Sequence, residues 1–341
     1  MAKIEVFYPT GRDLNSWEAA YSAGKVPDRW PYGLNRLASD PSFEVSGVEA
    51  QPLKALRVAN AFIRGREETT LSTAAAIAWD EDLALRLVVE RRKQAKMAGV
   101  IWLTDRIVRS ERSAKDVLLK SFLPRMNGLW ALSRPQIDIV QDWLGSDSPT
   151  VDFLRFGIDQ EFFSQWNYPE KPMVLSIGRD RDRDPKTLFE AFEEIVRLRP
   201  DVEVVAQSSS ALPAPSGVRI VPSLTHSELR DYYRRASVVV VATRPNVHVS
   251  GMTVALESMS TSRPVVMCDT AGMRDYVEDG VSGLLFPCGD SKGLAAGVLS
   301  LLDDPLEAKR IGLNGRSRVE AMHTTELMAQ DLKRIVLSRL S

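Results

Sequence analysis

The chain has few of the residues that metal and redox chemistry favour, with only two cysteines and three histidines among 341 residues. Cys268 and Cys288 show no metal-ligand spacing, and the opening MAKIEVFYPTG carries no apolar segment of the signal-peptide kind. A reducing, cytoplasmic setting is the expectation. Net charge is also nearly absent, since Lys+Arg 44 against Asp+Glu 45 leaves -1, so no global field recruits nucleic acid and any anion site is local. No apolar run approaches the roughly 20 residues needed to span a bilayer, which excludes a crossing but not contact with a membrane surface. No G-x-G-x-x-G follows any expected strand, which disfavours a dehydrogenase. The length itself favours two domains, each with its own core.

What is present is an alternation of short apolar runs with amphipathic stretches. Ile4 to Tyr8 reads as a buried strand closed by Pro9-Thr10-Gly11, and Tyr32 to Ala38 as a helix. Phe43 to Val48 reads as a strand and Pro52 to Arg64 as a helix. Ala75 to Trp79 is a further strand, after which Asp80-Glu81-Asp82 are best read as acids opening a helix from Leu83 to Ala95. Gly99 to Leu103 is expected as the next strand, placing Asp105 at its end, and Gly128 to Ser133 and Val151 to Phe156 complete one doubly wound domain. Residues 86–125 are distinctly basic, as a solvated surface or as a patch for an anionic acceptor or the inner face of a membrane. After a Trp166, Pro169 and Pro172 connector, strands Val174 to Ile177, Val202 to Ala206, Val218 to Val221, Val238 to Val241, Val265 to Cys268 and Leu284 to Phe286 alternate with helices in a second parallel sheet. A last helix, Thr325 to Leu340, is expected to pack on the first domain.

The densest concentration of chemistry is Ala242 to Val266, ATRPNVHVSGMTVALESMSTSRPVV, a loop and helix between two strands. With Ser250 as N-cap, Ser250, Thr253 and Glu257 form a polar stripe down an otherwise apolar helix. A helix N-terminus suits phosphate, and a carboxylate two turns along suits a pair of ribose hydroxyls, which together outline a nucleoside diphosphate. The same stripe would also suit the solvated face of a sheet-covering helix.

Several strings in this half resemble the GT-B glycosyltransferases, especially the retaining enzymes of family four. They are Phe156-Gly157-Ile158-Asp159, Ser176-Ile177-Gly178-Arg179 with Arg183, Ala255-Leu256-Glu257-Ser258-Met259 with Arg263-Pro264-Val265-Val266, and Gly272 to Pro287. The resemblance implies two Rossmann-like doubly wound α/β domains facing each other across a cleft. Residues 1–165, joined by a C-terminal helix at 324–341, would bind the acceptor, and 166–323 the nucleotide sugar. It further implies that Glu257 takes the ribose, that the turn Ser250, Gly251, Met252 and Thr253 holds the diphosphate, and that Arg179 and Arg183 clamp it, with Lys186 a rival for the second place. Gly11 matches the glycine of the family's first loop. No metal or bound cofactor is implied, and the family leans toward a UDP-sugar as donor.

The chain departs from the family in two places. The first glutamate of the family's paired motif is Val249 here, preceded by His248, and the first-domain histidine is replaced by Asp105. Asp105 could face the transferred sugar, cap the next turn, or pair with Arg106 or Arg109 on a solvated surface, and His248 could bind the donor or be structural. Three functions stay open at this point: sugar transfer to a hydroxyl, nucleotide-sugar epimerisation, and non-catalytic binding of a nucleotide sugar.

Overall fold

The computed structural model describes residues 2–50, 74–90, 94–111 and 113–340 and divides into two compact units. The first comprises Met1–Ala19, Arg29–Phe156 and Glu326–Ser341; the second, Ala20–Asp28 and Gly157–Thr325. The helix expected over 52–64 lies outside the described residues, as do several members of the basic stretch.

In the first unit β1 (Ala2–Tyr8), β2 (Phe43–Glu49), β3 (Ala74–Ala78), β4 (Ala95–Gly99), β5 (Gly128–Ala131) and β6 (Val151–Phe153) form a parallel sheet in the order β2-β1-β3-β4-β5-β6. Its central strand β3, Ala-Ala-Ala-Ile-Ala, is an unbroken run of small and branched apolar residues, as expected of a sheet covered on both faces. Gly99 must be glycine, because a Cβ there would meet the Trp79 carbonyl oxygen at 2.1 Å.

Three expectations are corrected here. The strand expected at Gly99 to Leu103 is Ala95–Gly99, because Lys96 lies within it, buried, with its ammonium donating to the Gln94 carbonyl at 2.9 Å. The apolar Val100 to Leu103 is instead the turn into the Leu103–Val108 helix, and the preceding helix is Glu81–Glu90. Asp105 therefore sits in a helix's first turn, 2 % exposed, and neither at a strand end nor on a solvated surface. The segment Pro31–Ser39 is a 3-10 helix, since Tyr32 and Gly33 take left-handed φ values of 61° and 67° that break an α-helical ladder.

Glu81 does more than open its helix. Fully buried, it accepts hydrogen bonds from the Ile101 and Trp102 amides at 2.9 and 3.0 Å, fixing the turn after β4. Burial pushes its carboxyl up to about 7. A folded value above the unfolded one means that stability is full below about 4.5 and is lost as pH rises through about 7. Glu81→Gln keeps one of the two accepting oxygens and removes the charge. In urea unfolding followed from pH 5 to pH 8, it is expected to lose less stability than the parent chain, by on the order of 2–3 kcal/mol. Equal losses would refute the buried-charge account.

The last helix, Thr325–Leu337, buries Met328, Leu332 and Val336. Lys333 pairs with Asp40, and Arg339 donates to Asp152 at 2.7 Å, tying the helix's end to the first unit's sheet.

In the second unit β7 (Met173–Ser176), β8 (Glu203–Gln207), β9 (Val218–Val221), β10 (Val238–Val241), β11 (Val265–Cys268) and β12 (Leu284–Phe286) are parallel in the order β12-β11-β10-β7-β8-β9. The order reverses between β7 and β10. The loops that leave these neighbours diverge, opening the crevice in which such sheets bind ligands.

Candidate functional site: the switch point of the second unit

The loops after β7 and β10 are joined by backbone. Arg183 forms a β-bridge with Thr243, the Asp184 amide donates to Ala242 at 3.0 Å, and the Arg244 amide to Asp182 at 2.8 Å. Beside them lies a cavity of about 290 Å³ lined by Gly178, Arg179, Asp180, Arg183, Gln207 and Arg244, among others. Gly178 has φ 104° and donates its amide to Gln207 Oε1 at 3.0 Å.

Arg183 is held between two glycines. A Cβ at Gly178 would lie 2.2 Å from one guanidinium nitrogen, and one at Gly251 would lie 3.0 Å from the other. Both positions have left-handed φ, so glycine is required by conformation and by space. Arg183 Nε is buried with no hydrogen-bond partner among the described residues. Burial lowers the Arg183 pKa, with Asp180 and Glu257 opposing. A buried donor without a partner is an exception among polar groups in folded proteins.

The Met252–Ser260 helix starts here, and its N-cap is Gly251, φ 92°, with no side-chain cap. The expected cap, Ser250, turns away and donates its hydroxyl to Asp180 at 2.7 Å. An uncapped first turn leaves amides without intrahelical partners, and of these the Met252 amide donates to the Val249 carbonyl at 3.0 Å. Within it Met252 is buried and Thr253 exposed.

Glu257 is not on a solvated face; it is 7 % exposed and accepts the Tyr233 hydroxyl at 2.7 Å. Burial raises its carboxyl to about 7, against the lowering effects of Tyr233 and Arg183, so the free protein holds it part-protonated at neutrality. Arg179 and Lys186 are exposed, and only Arg179 lines the cavity. His248 is 4 % exposed, with Nε2 3.3 Å from both Asp180 carboxylate oxygens and Nδ1 3.7 Å from Asp182. Val249 is buried with φ 59°, a strained conformation for a branched residue.

Gly11 and Asp105 belong to the first unit. Gly11 has φ 82° after β1 and donates to Glu49 at 2.7 Å. Sequence reasoning passed over Asp180, Tyr233 and Gln207. The run Asp180, Asp182, Asp184 reads as solvated loop charge, and nothing local marks a tyrosine on a polar helix or a glutamine at a strand end as parts of a site.

Residues 171–304 match the family model described as "Glycosyl transferases group 1". The glycogen synthase of Mycobacterium tuberculosis is 31% identical over 349 aligned positions, covering 96% of this chain and 77% of that protein. The D-inositol 3-phosphate glycosyltransferase of Frankia alni is 30% identical over 208 residues, 52% of this chain and 50% of that protein. That of Thermobispora bispora is 37% identical over 102 residues, so matches to these relatives span only 23% to 50% of their length. Among solved structures, sucrose-phosphate synthase of Thermosynechococcus elongatus has a TM-score of 0.70 at 17% identity, with 99% of each chain covered. Anabaena Alr3699/HepE in complex with UDP-glucose has a TM-score of 0.69 at 15% identity, covering 99% of this chain and 100% of that one. The fold is that of the two-domain GT-B enzymes. The chain belongs to the group 1 glycosyl transferases.

Proposed function

We propose that the chain is a retaining glycosyltransferase that moves a sugar from a nucleotide sugar, a UDP-sugar in the favoured reading, to an acceptor hydroxyl. The observation that carries it is the alignment in the second unit of the buried carboxylate Glu257, the uncapped helix start at Gly251, and the guanidinium of Arg183 with its unused Nε. The ribose sits at Glu257, the diphosphate at the helix start and Arg183. Arg179 reaches the same phosphates from the cavity rim, with Lys186 nearby in sequence. A departing nucleoside diphosphate gains negative charge as the sugar bond breaks, and fixed cations and amides aimed at it lower the barrier. On this reading no metal takes part, and transfer persists in EDTA. The first unit, with Gly11 and Asp105, takes the acceptor, and residues 86–125 meet an anionic acceptor or a membrane surface. Among the described residues no helix is long and apolar enough to cross a membrane.

The reading is tested by thermal shift with nucleoside diphosphates and their sugars, since a ligand at a hundred times its dissociation constant stabilises by about 2.7 kcal/mol. No shift with any of them would overturn it. Glu257→Ala is expected to weaken the best-bound diphosphate at least tenfold, because hydrogen bonds to a charged group contribute roughly 1.5–3 kcal/mol each. Two ribose hydroxyls favour the ionised carboxylate. Affinity in the parent should therefore rise with pH through about 7, and calorimetry should detect proton release on binding. Unchanged affinity in the variant would remove the ribose assignment.

A further inference from the structure

The first glutamate of the family's paired motif is Val249 here, and the structure gives that side chain no access to a ligand: it is 2 % exposed, on a backbone with φ 59°. The Met252–Ser260 helix sets the order of the donor's parts. Glu257 lies six residues beyond Gly251, ~9 Å along the axis. A nucleotide sugar with its ribose at Glu257 and its diphosphate at the helix start therefore carries its sugar past that start, onto residues 246–250 and the loop facing them.

The group waiting there is the Asp180 carboxylate. Oδ1 accepts from the Asp182 amide at 2.8 Å and the Ser250 hydroxyl at 2.7 Å. His248 Nε2 stands 3.3 Å from each oxygen, and among the described residues this is the only contact Oδ2 has, which leaves it lone pairs for a ligand. The side chain is 17 % exposed and lines the cavity beside Arg179 and Arg183. His248 and these hydrogen bonds overcome the cost of burial and hold Asp180 well below the usual carboxylate range, so it is a fixed acceptor at all working pH. A second carboxylate, Asp182, is buried behind His248.

We propose that Asp180, braced by His248 and Ser250, recognises the hydroxyls of the transferred sugar in place of the missing glutamate, and that it restricts the donor to uncharged sugars. An acidic sugar would bring its own carboxylate against Asp180 with Asp182 behind it, and like charges so placed suppress binding strongly. Asp180 is the contacting residue; His248 and Ser250 are positioning residues.

This rests on the donor site proposed above, and the test separates the two. Binding of UDP, UDP-glucose and UDP-glucuronate to the whole chain is measured by calorimetry for the parent, Asp180→Asn, Asp180→Ala and Ser250→Ala. The parent is expected to bind UDP-glucose at least a hundredfold more tightly than UDP-glucuronate. Asp180→Ala should leave UDP affinity within about threefold and weaken UDP-glucose at least tenfold. Asp180→Asn should narrow the gap between the two sugars, and Ser250→Ala should weaken UDP-glucose by a larger factor than UDP. Equal loss of UDP and UDP-glucose in Asp180→Ala would overturn the inference by making Asp180 a support of the phosphate loop. So would equal binding of the two sugars by the parent. If the alanine variant does not fold, Asp180→Asn and Ser250→Ala decide the question alone. Failure of the parent to bind UDP at all would sink both this inference and the uridine donor beneath it.

Discussion

Arg183→Ala is expected to lower turnover by roughly 10² to 10³, the usual cost of removing a group aimed at charge that develops in the transition state. Lys186→Ala should cost far less: Lys186 is exposed and absent from the cavity lining, whereas Arg183 lies between Gly178 and Gly251 with an unused donor. Gly178→Ala is a second route to the same loss, because a methyl group there would displace the guanidinium while leaving its charge in the chain. Steady-state kinetics with the donor found by thermal shift tests all three. Reversal of the order of Arg183 and Lys186 would give the leaving-group role to lysine.

Arg263→Ala should have the largest effect on stability. The side chain is fully buried and donates to the Tyr233, Asn167 and Arg234 carbonyls at 2.9, 2.8 and 3.0 Å, with Trp166 at 3.4 Å. Burial lowers its pKa to about 10, still charged at any ordinary pH. Truncation leaves a cavity and several carbonyls without donors, a loss of about 3–5 kcal/mol. For a unit of this size that lowers the melting temperature on the order of 10 °C. Because Tyr233 carries the hydroxyl that holds Glu257, donor affinity should fall as well. Arg263→Lys should rescue little, since an ammonium cannot reproduce the guanidinium fork. A variant melting within about 2 °C of the parent would show that the connector and the helix end do not depend on it.

Strands such as Val238–Val241 and Val265–Cys268 were legible because each is a short, unmixed apolar run. β4 was not, because Lys96 interrupts its run while the turn after it is more apolar than the strand. Periodicity reports burial, and in that segment the turn is as buried as the strand. At the site, Glu257 and Arg183 could be found because they sit in strings whose spacing carries information. Ser250 was expected as a cap on sound local grounds, but a tertiary partner, Asp180, drew its hydroxyl away and left glycine at the helix start. Asp180, Tyr233 and Gln207 act through partners between 24 and 70 residues distant, Glu257, Gly178 and Ser250 among them, and no local pattern encodes such pairings.

The central claim, that a nucleoside diphosphate lies along the Met252–Ser260 helix, is tested most directly by a crystal structure of the whole chain with the diphosphate that gives the largest thermal shift. The account predicts both ribose hydroxyls on the Glu257 carboxylate, with Tyr233 still bound to its other oxygen. Phosphate oxygens should lie on the Arg183 guanidinium and on amides of the helix's first turn. A nucleotide bound in the second unit with Glu257 contacting only Tyr233, or phosphates away from Arg183, would contradict it.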